Sequence, residues 1–279
     1  MESCSNHSYG QSTDSKLGRL RSLLQSIDSF VIAVSGGVDS MLLSVIAGRM
    51  NNVSARMVHA VSPAVSIRAT NRVRDYARKE NWQLMICDAG EFSDERYMSN
   101  PVDRCFYCKF NLYQYIDSKV ELQILSGTNQ DDLDDFRPGL NAAEQYGVRH
   151  PYVEVGIDKA TIRDIARTLD LHKLSELPAS PCLSSRVETG IRIDGEWLRV
   201  IDLIEQGIRH SQKVETVRCR VRREGIVVEL AADTLSRLDD HQRHEIESLV
   251  NATLPERLGY HPIRFGEYRM GSAFTRVSR

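Results

Sequence analysis

The chain of 279 residues is 41% hydrophobic and 27% charged, which is ordinary for a globular protein and argues against disorder and against membrane-spanning helices. Its 36 basic and 38 acidic residues give a formal charge of −2, which predicts no general attraction to nucleic acid or to anionic membranes. The first residues lack the basic start and apolar block of a secretory signal, so we expect a cytoplasmic protein. Its six cysteines are then expected to serve metal binding or catalysis rather than disulfides.

Short apolar, β-prone runs alternate with helical patterns from residue 30 onward, after a Ser-, Asn- and Gln-rich segment, 1–15, that is predicted to be a flexible tail. Strands are predicted at 30–34, 55–61, 83–87 and 122–126, and helices at 41–50, 69–80 and 157–169, the last with Asp158 as N-cap. This alternation predicts an α/β fold with a mainly parallel sheet and helices on both faces, in a domain of residues 16–190.

The pattern changes after about residue 190. A helix is predicted at 196–209, a hairpin of strands at 216–221 and 225–230, and another helix at 234–249. These elements predict a smaller α+β domain, residues 191–279, for substrate binding or oligomerisation.

A Ser-Gly-Gly-Val-Asp-Ser segment, residues 35–40, lies between the first strand and the first helix of the large domain. Gly36 and Gly37 let backbone N–H groups approach phosphate oxygens, and the following helix adds its positive N-terminal dipole. Ser35 and Ser40 supply hydroxyl donors, and Asp39 can hold Mg²⁺ or the loop itself. The segment lacks the lysine of a Walker loop. It predicts a pyrophosphate-binding loop for ATP; the alternative is an ordinary glycine turn.

Cys105 and Cys108 form a C-x-x-C pair, and Cys182 is a third candidate ligand. Three cysteines do not suit a closed zinc site with four ligands, but they suit a 4Fe-4S cluster whose fourth iron binds an exogenous sulfide. A redox dithiol in the pair and a lone nucleophile or buried thiol at Cys182 are the alternatives. Cys87 and Cys219 are interpreted as structural thiols.

Several motifs together resemble the LarE family: the 35–40 loop, Cys-Phe-Tyr-Cys-Lys at 105–109, Gly-Thr-Asn-Gln-Asp-Asp at 127–132, Arg-Pro-Gly at 137–139 and Pro-Cys-Leu-Ser-Ser-Arg at 181–186. LarE proteins are PP-loop sulfurtransferases with an adenine-nucleotide alpha-hydrolase-like fold that act in nickel-pincer cofactor biosynthesis. The resemblance implies that ATP adenylates the carboxylates of a pyridinium dicarboxylate mononucleotide, with release of pyrophosphate, and that sulfur then replaces oxygen. It also implies a homo-oligomer.

The family has two mechanistic types. In one, the cysteine at the position of Cys182 gives up its own sulfur and becomes dehydroalanine. In the other, three cysteines hold a 4Fe-4S cluster that carries a sulfide from a donor. The presence of Cys105 and Cys108 resembles the cluster type, and both sulfur sources stay open.

The resemblance also implies individual site residues. Ser185 and Arg186 line the reaction site with Cys182, Glu205 faces it, and Gly127 joins the loop residues around ATP. Arg218 and Arg220 alternate along a strand and so point to one face, where they can bind a substrate phosphate; the alternative is a solvated strand face. After Arg186 this chain has Val-Glu-Thr-Gly, where the family often has Pro-Tyr-Gly.

An acidic run at 131–135 is a further candidate for magnesium on the ATP phosphates, through Asp131 and Asp135. The alternative is a solvated loop. Three other functions share parts of these patterns: a tRNA thiolation enzyme, an ammonia-using synthetase and a non-catalytic protein that binds an adenine nucleotide. The balanced charge of residues 190–279 does not favour an RNA-binding surface, and the ammonia chemistry needs no cysteine trio.

Overall fold

The structure, a computed structural model, describes residues 5–133, 138–256 and 261–269, with side chains from residue 13 onward. Its contacts divide the chain into two compact units. Unit 1 contains the described residues up to Val61 together with Ile67–Glu91 and Cys105–Ser180. Unit 2 contains Ser62–Ser66, Phe92–Arg104 and the described residues from Pro181 onward, so two short early segments belong to it. The predicted division at residue 190 treated each domain as continuous in sequence.

Unit 1 is built on a four-stranded, all-parallel sheet of order β3-β2-β1-β4, which confirms the predicted α/β class. The strands are β1 (Ser29–Ala33), β2 (Ser54–Ala60), β3 (Gln83–Cys87) and β4 (Gln123–Ser126). The helices of this part of the chain are α1 (Ser5–Ile27), α2 (Val38–Gly48), α3 (Ile67–Lys79), α5 (Arg104–Asp117), α6 (Gly139–Gln145), α7 (Pro151–Glu154), α8 (Lys159–Thr168) and α9 (His172–Ser175); the short α4 (Glu95–Met98) belongs to unit 2.

Two apolar clusters cover the two faces of this sheet. Phe30 and Ile32 of β1 pack in the first cluster with residues of α1, α2 and α8. Val31 and Ala33 pack in the second with residues of α5 and α6. Successive residues of a strand point to opposite faces, so the continuous apolar run of β1 reflects burial on both sides.

Helix α1 begins within the segment that was predicted to be a flexible tail. Leu17, Leu20 and Leu24 recur on one helical face, and all three are buried in the first cluster. Lys16 Nζ also donates a hydrogen bond to Thr161 Oγ1 of α8 at 3.2 Å. This apolar stripe anchors the C-terminal half of the helix, whereas the prediction of a tail rested on the polar composition of residues 1–15. Cys4 lies outside the described residues.

Unit 2 contains a mixed three-stranded sheet and helices. Strands β5 (Val217–Arg222) and β6 (Gly225–Leu230) form the predicted hairpin, and β7 (Ile263–Glu267) pairs in parallel with β6. Helix α10 (Gly195–Gln212) packs against β5. The single helix predicted at 234–249 is wrong: α11 (Ala232–Arg237) and α12 (Asp240–Thr253) are separate, because the Asp239 side chain caps α12 by accepting from Gln242 N.

Among the described residues, no helix combines the length and apolar character that crossing a membrane requires.

Candidate functional site

The loop between β1 and α2 turns sharply at Gly36 and leads directly into the N-terminus of the helix. Gly36 adopts φ +84°, a conformation that favours glycine, and Gly37 is the N-cap of α2. Ser40 Oγ lies 3.0 Å from Ser35 Oγ and accepts a hydrogen bond from Ser35 N at 3.1 Å, while Ser35 Oγ accepts one from Gly37 N at 3.3 Å. The two serines therefore hold the loop closed, and Ser40 is buried in doing so.

Neighbouring backbone fits tightly against this loop. A Cβ on Gly36 would lie 2.9 Å from Ala69 O, and a Cβ on Gly127 would lie 2.6 Å from Ser40 N. Arg72 of α3 donates from Nη1 to Gly36 O at 2.6 Å. The structure thus brings Gly127, at the end of β4, against the N-terminal turn of α2. Arg72 was not predicted, because a charged residue in an amphipathic helix carries no sequence signal of this contact.

Asp39 is held by Lys159, a lysine 120 positions away in sequence that no local pattern indicates. Lys159 Nζ donates to both carboxylate oxygens of Asp39, at 2.7 Å and 2.5 Å, and the Tyr152 hydroxyl donates to Asp39 O at 3.1 Å. Burial raises the pKa of Asp39 above its usual value, although Lys159 opposes that rise. Lys159 also donates from its backbone N to Asp131 Oδ2 at 3.1 Å. One residue at the start of α8 therefore contacts two of the three carboxylates predicted as magnesium candidates, Asp39 and Asp131.

These two carboxylates match the donor set that Mg²⁺ prefers, namely oxygen from one or two acids with phosphates and water completing the shell. Magnesium at Asp39 would compete with the Lys159 ammonium group for the same oxygens. Asp135, the other predicted ligand, lies outside the described residues.

In unit 2, the segment that carries Cys182 ends in a buried turn, Leu183–Arg186. Cys182 is exposed, whereas Ser185 and Arg186 are buried. Arg186 Nη1 donates to Pro181 O at 2.8 Å, to Cys182 O at 3.2 Å and to Ser185 Oγ at 3.0 Å. The guanidinium group therefore fixes the backbone on both sides of the cysteine.

Glu205 of α10 is the centre of a buried charge network. Arg186 donates to it from Nε at 2.8 Å and Nη2 at 3.1 Å, Arg209 donates at 2.8 Å and Cys219 N at 3.0 Å. Burial opposes ionisation of Glu205, but Arg186 and then Arg209 and Arg218 outweigh it and lower its pKa. Glu205 is therefore a carboxylate that orients Arg186.

Arg218 and Arg220 of β5 are both buried. Arg220 donates to Ser185 O at 2.8 Å and pairs with Glu229 at 2.7 Å, and the Arg218 guanidinium carbon lies 5.1 Å from the Tyr268 ring centroid. Burial lowers the pKa of Arg218. The contacts of this region involve five guanidinium groups and two carboxylates, those of Arg186, Arg209, Arg218, Arg220, Arg222, Glu205 and Glu229.

The three cysteines predicted to hold a cluster belong to different units. Cys105 and Cys108 lie on α5 in unit 1, and Cys182 lies in unit 2. Among the residues that the structure describes, no three His, Cys, Asp or Glu side chains form a group that could hold a metal. The structure thus does not support the predicted 4Fe-4S cluster. Two cysteines that are three positions apart on a helix lie on the same face of it. This spacing does not predict where a third cysteine lies.

Cys87 and Cys219 are buried, as expected of structural thiols. Burial raises the pKa of Cys87 to about 11 and raises that of Cys219 still further. Both thiols are therefore protonated near neutral pH.

The parallel sheet and the glycine loop between β1 and α2 make this an α/β protein with a PP-loop type of fold. No protein-family model matches the chain. The chain belongs to the same family as the uncharacterized protein slr1717 of Synechocystis sp. strain PCC 6803, with which it shares 33% identity over 200 residues, 70% of this chain and 74% of that protein.

Two more distant relatives match similar fractions of this chain. The uncharacterized protein MJ0830 of Methanocaldococcus jannaschii is 28% identical over 221 residues, 78% of this chain and 83% of its own. Pyridinium-3,5-bisthiocarboxylic acid mononucleotide synthase of Lactiplantibacillus plantarum is 26% identical over 223 residues, 77% of this chain and 79% of its own. The chain is thus similar, at low identity, to a LarE-like synthase over most of its length.

Proposed function

We propose that the protein is an ATP-dependent sulfurtransferase that converts a carboxylate of a pyridinium mononucleotide into a thiocarboxylate. The observation that carries the proposal is the similarity to pyridinium-3,5-bisthiocarboxylic acid mononucleotide synthase along 77% of this chain. The loop of unit 1 and the charge network of unit 2 supply the two chemical requirements, which are activation by ATP and binding of an anionic substrate.

In the first step, a substrate carboxylate oxygen attacks the α-phosphorus of ATP, the bond to the bridging oxygen breaks, and pyrophosphate leaves. Backbone N–H groups at Gly36 and Gly37 and the N-terminus of α2 stabilise the negative charge of the phosphates. Magnesium, when bound at Asp39 and Asp131, would neutralise phosphate charge. The product of this step is an acyl-adenylate.

In the second step, the Cys182 thiolate attacks the carbonyl carbon and the carbon–oxygen bond to AMP breaks. Cys182 is exposed and its flanking carbonyls are fixed by Arg186, which favours a defined position for the attacking thiol. If the cysteine donates its own sulfur, a base removes its α-proton, the Cβ–S bond breaks, and the thiocarboxylate leaves dehydroalanine behind.

The guanidinium-rich region beside Ser185 suits the substrate phosphate. Its five arginines exceed its two carboxylates, and Arg220 contacts the backbone of Ser185 directly. Charge-assisted, bidentate hydrogen bonds from guanidinium groups are a common means of binding phosphate in proteins. We assign Arg218 and Arg220 to this role.

The test measures pyrophosphate release and thiocarboxylate formation separately, with ATP and pyridinium-3,5-biscarboxylic acid mononucleotide. Cys182→Ser should abolish thiocarboxylate formation and retain part of the pyrophosphate release. Cys105→Ser/Cys108→Ser is the matched comparison: it should retain sulfur transfer if Cys182 is the donor and lose it, with iron, if a cluster is. Full sulfur transfer by Cys182→Ser would contradict the proposal, as would pyrophosphate release that requires tRNA or ammonia.

A further inference from the structure

The segment that carries Cys182 is held by two side chains from a distant part of the sequence. Tyr97 lies on α4, and its hydroxyl oxygen is 2.6 Å from Ser184 Oγ. Both residues are almost completely buried, at 1% and 0% exposure. A hydrogen bond this short in a buried setting restricts Ser184, two residues beyond the cysteine.

Asn100 holds the other end of the same segment. Its Nδ2 donates to Glu188 O at 2.8 Å and Ile191 O at 2.9 Å, and its own carbonyl accepts from Gly190 N at 2.9 Å. The residue is fully buried and adopts φ +55°, a conformation that asparagine tolerates better than most residues. The Asn100 side chain therefore holds two carbonyl groups of this irregular backbone, and its backbone carbonyl holds a third position, Gly190.

Backbone contacts complete this arrangement. Leu183 N donates to Ala64 O at 2.8 Å, and Ile193 N donates to Met98 O at 2.8 Å. Outside its short helical turn the segment 182–193 belongs to no helix or strand, so its conformation depends on bonds to residues 62–66 and 92–104 as well as to Glu205 and strand β5. The result is a fixed backbone that carries an exposed thiol.

We propose that Tyr97 and Asn100 are positioning residues that set the rate of sulfur transfer by Cys182 and leave activation by ATP unaffected. The proposal rests on the proposed function, because it assigns the transfer step to Cys182. Attack by a thiolate on an acyl-adenylate depends steeply on geometry, and displacement by about 1 Å can lower a rate roughly 100-fold. The nucleotide loop, in contrast, is held by contacts within unit 1.

Two variants remove these contacts. Tyr97→Phe removes only the hydroxyl, and Asn100→Gly removes the amide and keeps a residue that accepts positive φ. Tyr76→Phe is the matched control, since Tyr76 packs against Trp82 in unit 1 with ring centroids 6.3 Å apart. Single-turnover assays should show thiocarboxylate formation reduced roughly tenfold or more in both variants, with pyrophosphate release within about twofold of wild type.

Two further measurements test the positioning role without requiring sulfur transfer. Hydrogen–deuterium exchange should be faster in peptides covering 181–193 of both variants and unchanged in peptides covering 29–48. The rate of Cys182 alkylation by iodoacetamide should change in Tyr97→Phe and stay constant in Tyr76→Phe.

The outcomes separate the two proposals. If hydrogen–deuterium exchange at 181–193 is unchanged in the variants, the positioning role is overturned. An equal loss of pyrophosphate release and thiocarboxylate formation overturns it too. Normal sulfur transfer in both variants overturns it as well. If the wild-type protein forms no thiocarboxylate, the proposed function fails. The exchange and alkylation measurements then still test whether Tyr97 and Asn100 position the segment that carries Cys182.

Discussion

Arg186 and Glu205 form a two-point ion pair in which the side chains are only 3% and 1% exposed. The pair joins the turn after Cys182 to helix α10. Arg209 and the backbone N–H of Cys219 donate further hydrogen bonds to the Glu205 carboxylate. Removing one member of such a pair leaves a buried charge without compensation. The pair is therefore a sensitive point for both the stability of unit 2 and the orientation of Arg186.

Glu205→Gln should destabilise unit 2 by about 3–5 kcal/mol, because three arginines then lose the carboxylate that balances them. Urea denaturation followed by the fluorescence of Trp197, on α10, in a Trp82→Phe background measures this change. The matched control is Glu95→Gln, which breaks an exposed pair with Arg192 and should leave stability nearly unchanged. If the two substitutions lowered the free energy of unfolding equally, burial of the Arg186–Glu205 pair would not be the cause of the destabilisation.

The same carboxylate predicts a pH dependence. The pKa of Glu205 is lower in the folded protein than in the unfolded chain, so its stabilising contribution is fully present above the unfolded value of about 4.3. It is lost as the pH falls through the lowered folded-state pKa. The stability difference between wild type and Glu205→Gln should therefore shrink below about pH 4. A difference that stays constant from pH 7 to the acid transition would argue against an ionised Glu205.

The sequence predicts those parts of the molecule that depend on local pattern. The apolar run of β1, the Gly36–Gly37 turn and the Asp158 cap of α8, whose side chain accepts from Thr161 N at 2.7 Å, all follow from neighbouring residues. The alternation of Arg218 and Arg220 likewise predicted a shared face. Helix α1 was missed because its apolar stripe is sparse among polar residues.

The remaining features depend on tertiary contacts that no local pattern encodes. Lys159 meets Asp39 across 120 positions of sequence, and Asn100 meets Glu188 across 88. The predicted 4Fe-4S cluster also depended on a tertiary contact. The C-x-x-C spacing relates Cys105 to Cys108, but it leaves the position of Cys182 undetermined. A single sequence identifies candidate chemistry better than it identifies the residues that support it.

Gly127→Ala should impair activation by ATP. The added Cβ would lie 2.6 Å from Ser40 N and 2.8 Å from Ser40 Cα, which are backbone atoms at the N-terminal turn of α2. Their displacement by tenths of an ångström should lower ATP-dependent pyrophosphate release roughly tenfold or more. Gly18→Ala is the matched control, because nothing lies within 4 Å of its Cβ, and it should keep the wild-type rate. Wild-type activity in Gly127→Ala would place the nucleotide elsewhere.

Lys159→Met should reduce the Mg²⁺ concentration needed for half-maximal pyrophosphate release. The Lys159 ammonium group contacts both oxygens of Asp39, so magnesium and lysine compete for one carboxylate. Removing the lysine also removes the partner that opposes the rise in the pKa of Asp39, so the titrations are run at pH 8, because a higher pH favours the ionised carboxylate.

The control for this titration is Lys16→Met, which removes a lysine that bonds Thr161 on the same helix α8 and leaves Asp39 untouched. It should show the wild-type magnesium dependence. Asp39→Asn should require more magnesium than wild type, because a neutral amide is a weaker ligand than a carboxylate. An unchanged or higher requirement in Lys159→Met would mean that the ammonium group assists phosphate binding more than it competes with the metal.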